Sequence, residues 1–271
     1  MPNWTAFAGF ASVVLFALLV LSRASQRLVT GGHETPHGEA GGETSDRRRG
    51  GSPTPDGVGA ETDAGDAGVD SHVAAGEPPS TTNLLLNVAV SQGVFAAFLV
   101  LGAWYAEIPA SALGVGAADA RTLAVGVGVG VALYVVNEIG STVGERFGLG
   151  GSEALREALA PESVRGWALL LLVVLPVIAG FEELLFRGVL VGALSAGFAV
   201  SPWTMVGVSS VAFALGHGAQ GPGGVVVTGA LGVVLAAVFV LSGSLLVVVV
   251  AHYLVNALEF VVHEALDVEW A

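Results

Sequence analysis

Residues 167–200 read WALLLLVVLPVIAGFEELLFRGVLVGALSAGFAV, and Glu182, Glu183 and Arg187 decide what this run is. An apolar run of this length is a membrane span, where ionisable side chains are costly and rare unless they carry function. On a helix successive residues point about 100° apart, so Glu182 and Glu183 cannot play the same part. Glu183 and Arg187 are i,i+4 neighbours in the order that favours pairing. Glu182 lies on a different face without a local partner. One carboxylate is expected to be structural and the other available for chemistry. The run is too long for one straight span, and Pro176 is the expected kink.

Composition agrees with a membrane protein. The 271 residues are 53% hydrophobic and 12% charged, about half the charge of a soluble domain, and mean hydropathy is +0.74. Net charge is −13, with ten arginines and no lysine. That balance reads like a protein of a salt-rich cytoplasm, where charge is screened within about 3 Å at 1 M salt. It also argues against nucleic acid as a partner, because no basic patch exists to neutralise phosphates. With no cysteine, disulfides, iron–sulfur clusters and thiolate nucleophiles are excluded. Any metal must be held by His, Asp, Glu or Asn.

The chain divides into three parts. Residues 1–30 contain an uncharged apolar run, 4–22, long enough to span and without a convincing signal-peptide pattern, so a retained anchor is expected. Residues 31–83 read as an acidic disordered linker. Its first fifty residues hold 12 Gly and 10 acidic residues but no Leu, Ile or aromatic residue, too little apolar surface to build a core. His33, His37 and His72 within it read as solvated rather than ligating. Residues 84–271 form a multi-span domain, with spans at about 84–105, 122–143, 167–200, 203–217, 224–242 and 244–264. SEALREAL before the central run reads as a short helix capped by Ser152. The expected fold is an all-α polytopic bundle of about seven spans.

If the chain alternates across these spans, Arg23, Arg27, Arg47, Arg48, Arg49, Arg146, Arg156 and Arg165 share one side, and only Arg121 lies opposite. The positive-inside rule then makes the linker and C-terminus cytoplasmic and places the N-terminus outside.

Two more polar pairs occupy the last spans. Phe213 and His217 are one helical turn apart, as are His252 and Asn256. Rough depths bring Glu182, His217, His252 and Asn256 to one pocket within the membrane, open toward the cytoplasm. Phe213 reads as packing, and Glu138, Asn137 and Glu259 as lining or support. His263 and Glu264 read as solvated at the surface.

EExxxR (Glu182, Glu183, Arg187), FxxxH (Phe213, His217) and HxxxN (His252, Asn256), in this order over consecutive apolar segments, resemble the three motifs of the CPBP (Abi) family. These are intramembrane endopeptidases of CAAX-prenyl-protease and bacteriocin-processing type. The resemblance covers about 167–260, with the peptidase core at about 167–264. It implies peptide-bond hydrolysis in a membrane-anchored or prenylated protein. Glu182 and His217 would act on the nucleophilic water, with His252 and Asn256 opposite.

The chemistry is compatible with those roles. A carboxylate in low dielectric becomes a better base near neutral pH, and an amide can donate to an oxyanion. Two histidines and a glutamate can make a three-ligand zinc site, with Glu182, His217 and His252 as ligands. A metal-free, glutamate-based mechanism is the alternative. A proton- or ion-coupled transporter would use the same groups as a relay, although no internal repeat supports it. An inactive relative acting as a binding or immunity protein is the third reading. Since no motif residue precedes Leu84, catalysis is expected to survive deletion of residues 1–80.

Overall fold

The computed structural model describes residues 1–31, 80–145 and 153–268. Among these are eight α-helices and no strand. They are α1 (Trp4–Gly31), α2 (Thr81–Tyr105), α3 (Ala120–Glu145) and α4 (Glu153–Leu159). After these come α5 (Val164–Phe198), α6 (Pro202–Gly216), α7 (Gly221–Ser242) and α8 (Leu245–Ala265). The fold is an all-α polytopic bundle. Six helices are long and apolar enough to cross a membrane; α6 is the exception. Its 15 residues reach only about 22 Å, short of the ~30 Å hydrocarbon core. Most of the linker, the expected Ser152 cap and all three linker histidines lie outside the described residues.

Polar caps set several helix starts. Ser80, Ser163 and Ser244 each accept a backbone N–H from the third residue on. Asp119 does the same for Thr122 at 2.7 Å. α5 is continuous through Pro176 rather than broken there. Proline has no N–H for the α ladder, and the turn just before it, Leu170–Val174, is wound as π-helix. A second π stretch, Leu184–Ala193, begins directly after Glu183; such widened turns are frequent at functional sites.

The glycines of α3 have a packing reason. A Cβ at Gly126 would fall 2.9 Å from Val250, and one at Gly130 would fall 2.9 Å from Leu254 and 3.0 Å from Ala251. This stripe lets α3 lie against α8, the helix that carries His252 and Asn256.

α1 is more than a tether. Phe7, Ala11 and Val14 are buried in the same apolar cluster as Phe181, Leu185, Phe186 and Phe213. Trp4 covers Gly197 so closely that a Cβ there would fall 2.6 Å from its ring. Deleting residues 1–80 would therefore expose part of this cluster. A simple anchor needs no buried face, and this helix has one.

A polar clasp joins α3, α4 and α8. His263 Nε2 lies 2.9 Å from Glu138 Oε1, and Arg156 Nε donates to Glu264 Oε1 at 2.7 Å. Glu259 accepts from Asn137 and lies 3.6 Å from Arg156. The expectation of solvated His263 and Glu264 does not hold, because Glu138 of α3 meets His263 and Arg156 of α4 meets Glu264.

Candidate active site

Three helices supply the motif residues. α5 holds Glu182 and Glu183 at the end of an α-helical stretch and Arg187 in the π stretch that follows. The last turn of α6 holds Phe213, with His217 just past its end. α8 holds His252 and Asn256. Glu183 and Arg187 are fully buried. Arg187 Nη1 donates to Glu183 Oε1 at 2.6 Å and Nη2 to the Gly232 carbonyl of α7 at 3.1 Å. Its guanidinium also lies over the Phe213 ring, 4.5 Å from the centroid. One arginine thus ties α5, α6 and α7 together. Glu183 has a second duty that its i,i+4 spacing gave no sign of, a 2.7 Å hydrogen bond with His252 Nδ1.

Those contacts fix the histidine tautomers. Glu183, paired with Arg187, is a carboxylate and can only accept, so His252 Nδ1 donates. His217 Nδ1 lies 2.8 Å from the Phe213 carbonyl, which also can only accept. Neutral imidazoles then present bare Nε2 lone pairs. Both Nε2 atoms lie 3.8 Å from Glu182 Oε2, and that oxygen is buried without a hydrogen-bond partner among the described residues. With neutral imidazoles, three acceptors meet at Glu182 Oε2. Such an arrangement calls for a hydrogen-bond donor or a cation in the gap.

The donor chemistry suits a metal ion, since ligating imidazoles usually donate their other nitrogen to a carbonyl or carboxylate. The spacing is open. Tetrahedral zinc with bonds of about 2.0–2.1 Å holds its donors about 3.3 Å apart, less than the 3.8 Å here. Among the described residues no group of three or more His, Asp or Glu side chains is set to hold a metal. As placed, the gap suits a water.

Glu182 and His217 line a cavity of about 280 Å³ with Phe186 and Gln220. The remaining wall comes from Ser91, Gln92 and Phe95 of α2 and from Leu18, Leu21 and Ser22 of α1. The Gln92 carbonyl oxygen is buried and unpartnered among the described residues. None of these α1 and α2 residues was singled out from the sequence; an uncharged Gln in an apolar run gives only a faint signal. His252 and Asn256 are not among the lining residues. Asn256 is partly buried on the turn after His252.

No curated protein and no solved structure matches the chain. Residues 164–258 do match a family model, described as type II CAAX prenyl endopeptidase Rce1-like. The segment that unites Glu182, His217 and His252 thus matches an Rce1-like model, consistent with the CPBP family that the three motifs resemble.

Proposed function

We propose that the protein is an intramembrane endopeptidase in which Glu182, held against two imidazole lone pairs, activates a water for attack on a peptide bond. The supporting observation is the acceptor-only cluster of Glu182 Oε2, His217 Nε2 and His252 Nε2. A water there donates to Glu182 and to one imidazole, which orients its lone pair toward the cavity. Glu182 takes the proton as the water attacks and returns it to the leaving amine. Glu183 fixes the His252 ring, and the Phe213 carbonyl fixes that of His217. Asn256 is the candidate donor to the oxyanion. Were a Zn²⁺ to bind, Glu182, His217 and His252 would hold it, and it would lower the pKa of the water and polarise the carbonyl.

Eight of the ten arginines belong to the linker side, the side where α1 ends and α2 begins. The cavity-lining residues of α1 lie toward that end and those of α2 near its middle; with the positive-inside rule, the site opens toward the cytoplasm and the N-terminus is outside. Substrates are membrane-anchored proteins, including prenylated ones.

The test compares membrane-fraction proteomes of cells carrying the wild type or Glu182→Gln. Intact substrates should accumulate with the variant, and identical proteomes would count against a peptidase. His252→Ala with metal analysis of the purified protein addresses zinc. Stoichiometric metal in the wild type that is lost in the variant favours metal-assisted hydrolysis, whereas active protein without metal favours Glu182 alone.

A further inference from the structure

The hairpin between α6 and α7 raises a problem that α1 resolves. α6 ends at Gly216, a short 3₁₀ turn spans Gly218–Gln220, and α7 begins at Gly221. α6 has only 15 residues, too few to cross the apolar layer alone, so the polar groups of this irregular backbone need partners. Non-helical backbone is tolerated there only where its polar groups find partners or line a cavity.

Four carbonyls at the end of α6 and in the turn have partners. Phe213 O meets His217 Nδ1, Ala214 O accepts the His217 N–H, and His217 O accepts the Gln220 N–H. Gly216 O accepts from Ser22 Oγ of α1 at 2.6 Å. This last bond crosses 194 positions of sequence and holds the residue immediately before His217. Leu18 and Leu21, on the same end of α1, line the cavity that Glu182 and His217 share. All three lie outside the matched segment 164–258.

We propose that α1 is part of the active site, with Leu18 and Leu21 selecting the side chain beside the scissile bond and Ser22 positioning His217 through Gly216. The proposal rests on the peptidase reading and adds a substrate chemistry, an apolar side chain seated against the two leucines. Ser22 is a positioning residue, since it acts through the turn and touches no reacting atom.

The experiment uses the full chain in lipid nanodiscs and a tryptic peptide library from a whole proteome, with cleavage sites read by mass spectrometry. The wild type should cut beside apolar side chains, and Glu182→Gln should not cut. Leu21→Trp, which narrows the wall, should disfavour large apolar residues relative to small ones by about tenfold or more, the usual effect of a changed apolar pocket. Ser22→Ala should lower kcat about three- to tenfold, as for one lost hydrogen bond. KM should stay near wild type, the pH profile should shift, and Ser22→Thr should restore both. Because the chain has no cysteine, Leu21→Cys gives a readout independent of turnover. A water-soluble maleimide should label it far faster than Val13→Cys, which is exposed as Leu21 is but does not line the cavity.

If the wild type cuts, Glu182→Gln does not, and the α1 variants keep the wild-type profile, kcat and pH dependence, the role of α1 is overturned and the peptidase stands. Equal labelling of positions 21 and 13 overturns the α1 wall whatever the activity. If wild type and Glu182→Gln behave alike, the peptidase reading and this inference fail together.

Discussion

Around Glu182, the Nε2 atoms of His217 and His252 each lie 3.8 Å from a carboxylate oxygen that has no hydrogen-bond partner among the described residues. Around Glu138, by contrast, carboxylates meet cations or amides: Glu138 meets His263, Glu264 meets Arg156, and Glu259 meets Asn137. Both clusters put acidic groups and a histidine between helices of the same bundle. One is closed on itself, and the other leaves acceptors facing a cavity. Buried polar groups are costly unless satisfied, so a closed cluster reads as helix glue, whereas an open one implies a visiting molecule.

The comparison is tested most sharply at Glu182. Glu182→Gln keeps size and shape but removes the base. Its rate should fall roughly 10²–10⁴-fold with thermal unfolding near wild type, and an active Glu182→Gln would break the distinction. Glu183 belongs to both kinds of cluster, closed on Arg187 and supporting His252. Glu183→Gln leaves a buried guanidinium uncompensated, at a cost of about 3–5 kcal/mol. Activity should fall as well, because His252 loses the acceptor that sets its tautomer. Pairing it with Arg187→Met should recover part of the stability but none of the activity. Recovery of both would mean that Glu183 acts on the fold alone.

In the clasp the expected effects are smaller and of the opposite kind. Arg156→Ala should cost about 1 kcal/mol or less, as ion pairs near a surface do, and leave turnover within a few-fold of wild type. A large loss of activity in a stable Arg156→Ala protein would join the two clusters functionally. The smallest effect belongs to Asp119. Hydrogen bonds from the Thr122 backbone N–H and hydroxyl hold its carboxyl below the ordinary value. A depressed pKa stabilises above the unfolded value, near pH 4, and the contribution disappears as pH falls through the folded one. Asp119→Ala should therefore melt slightly below wild type at pH 7, and the gap should close in acid. A gap that persists there would assign the cap's effect to something other than the carboxylate.

The sequence by itself determined the helical membrane architecture and the three motifs. A 34-residue apolar run has few stable states other than helix in lipid, and i,i+4 spacing alone brings Glu183 to Arg187. What faces what across helices was not legible in the sequence. The Glu183–His252 bond joins residues 69 positions apart, the clasp between His263 and Glu138 spans 125, and Ser22 reaches Gly216 across 194. Periodicity reports the face of a helix toward its own neighbours in sequence; it carries no information on which other helix meets that face. Only the tertiary structure decided that α1, apparently a tether, packs its phenylalanine and valine into the core and its leucines into the cavity wall. It also decided which acceptors were left unanswered, because satisfaction depends on every group that folding brings within about 3 Å.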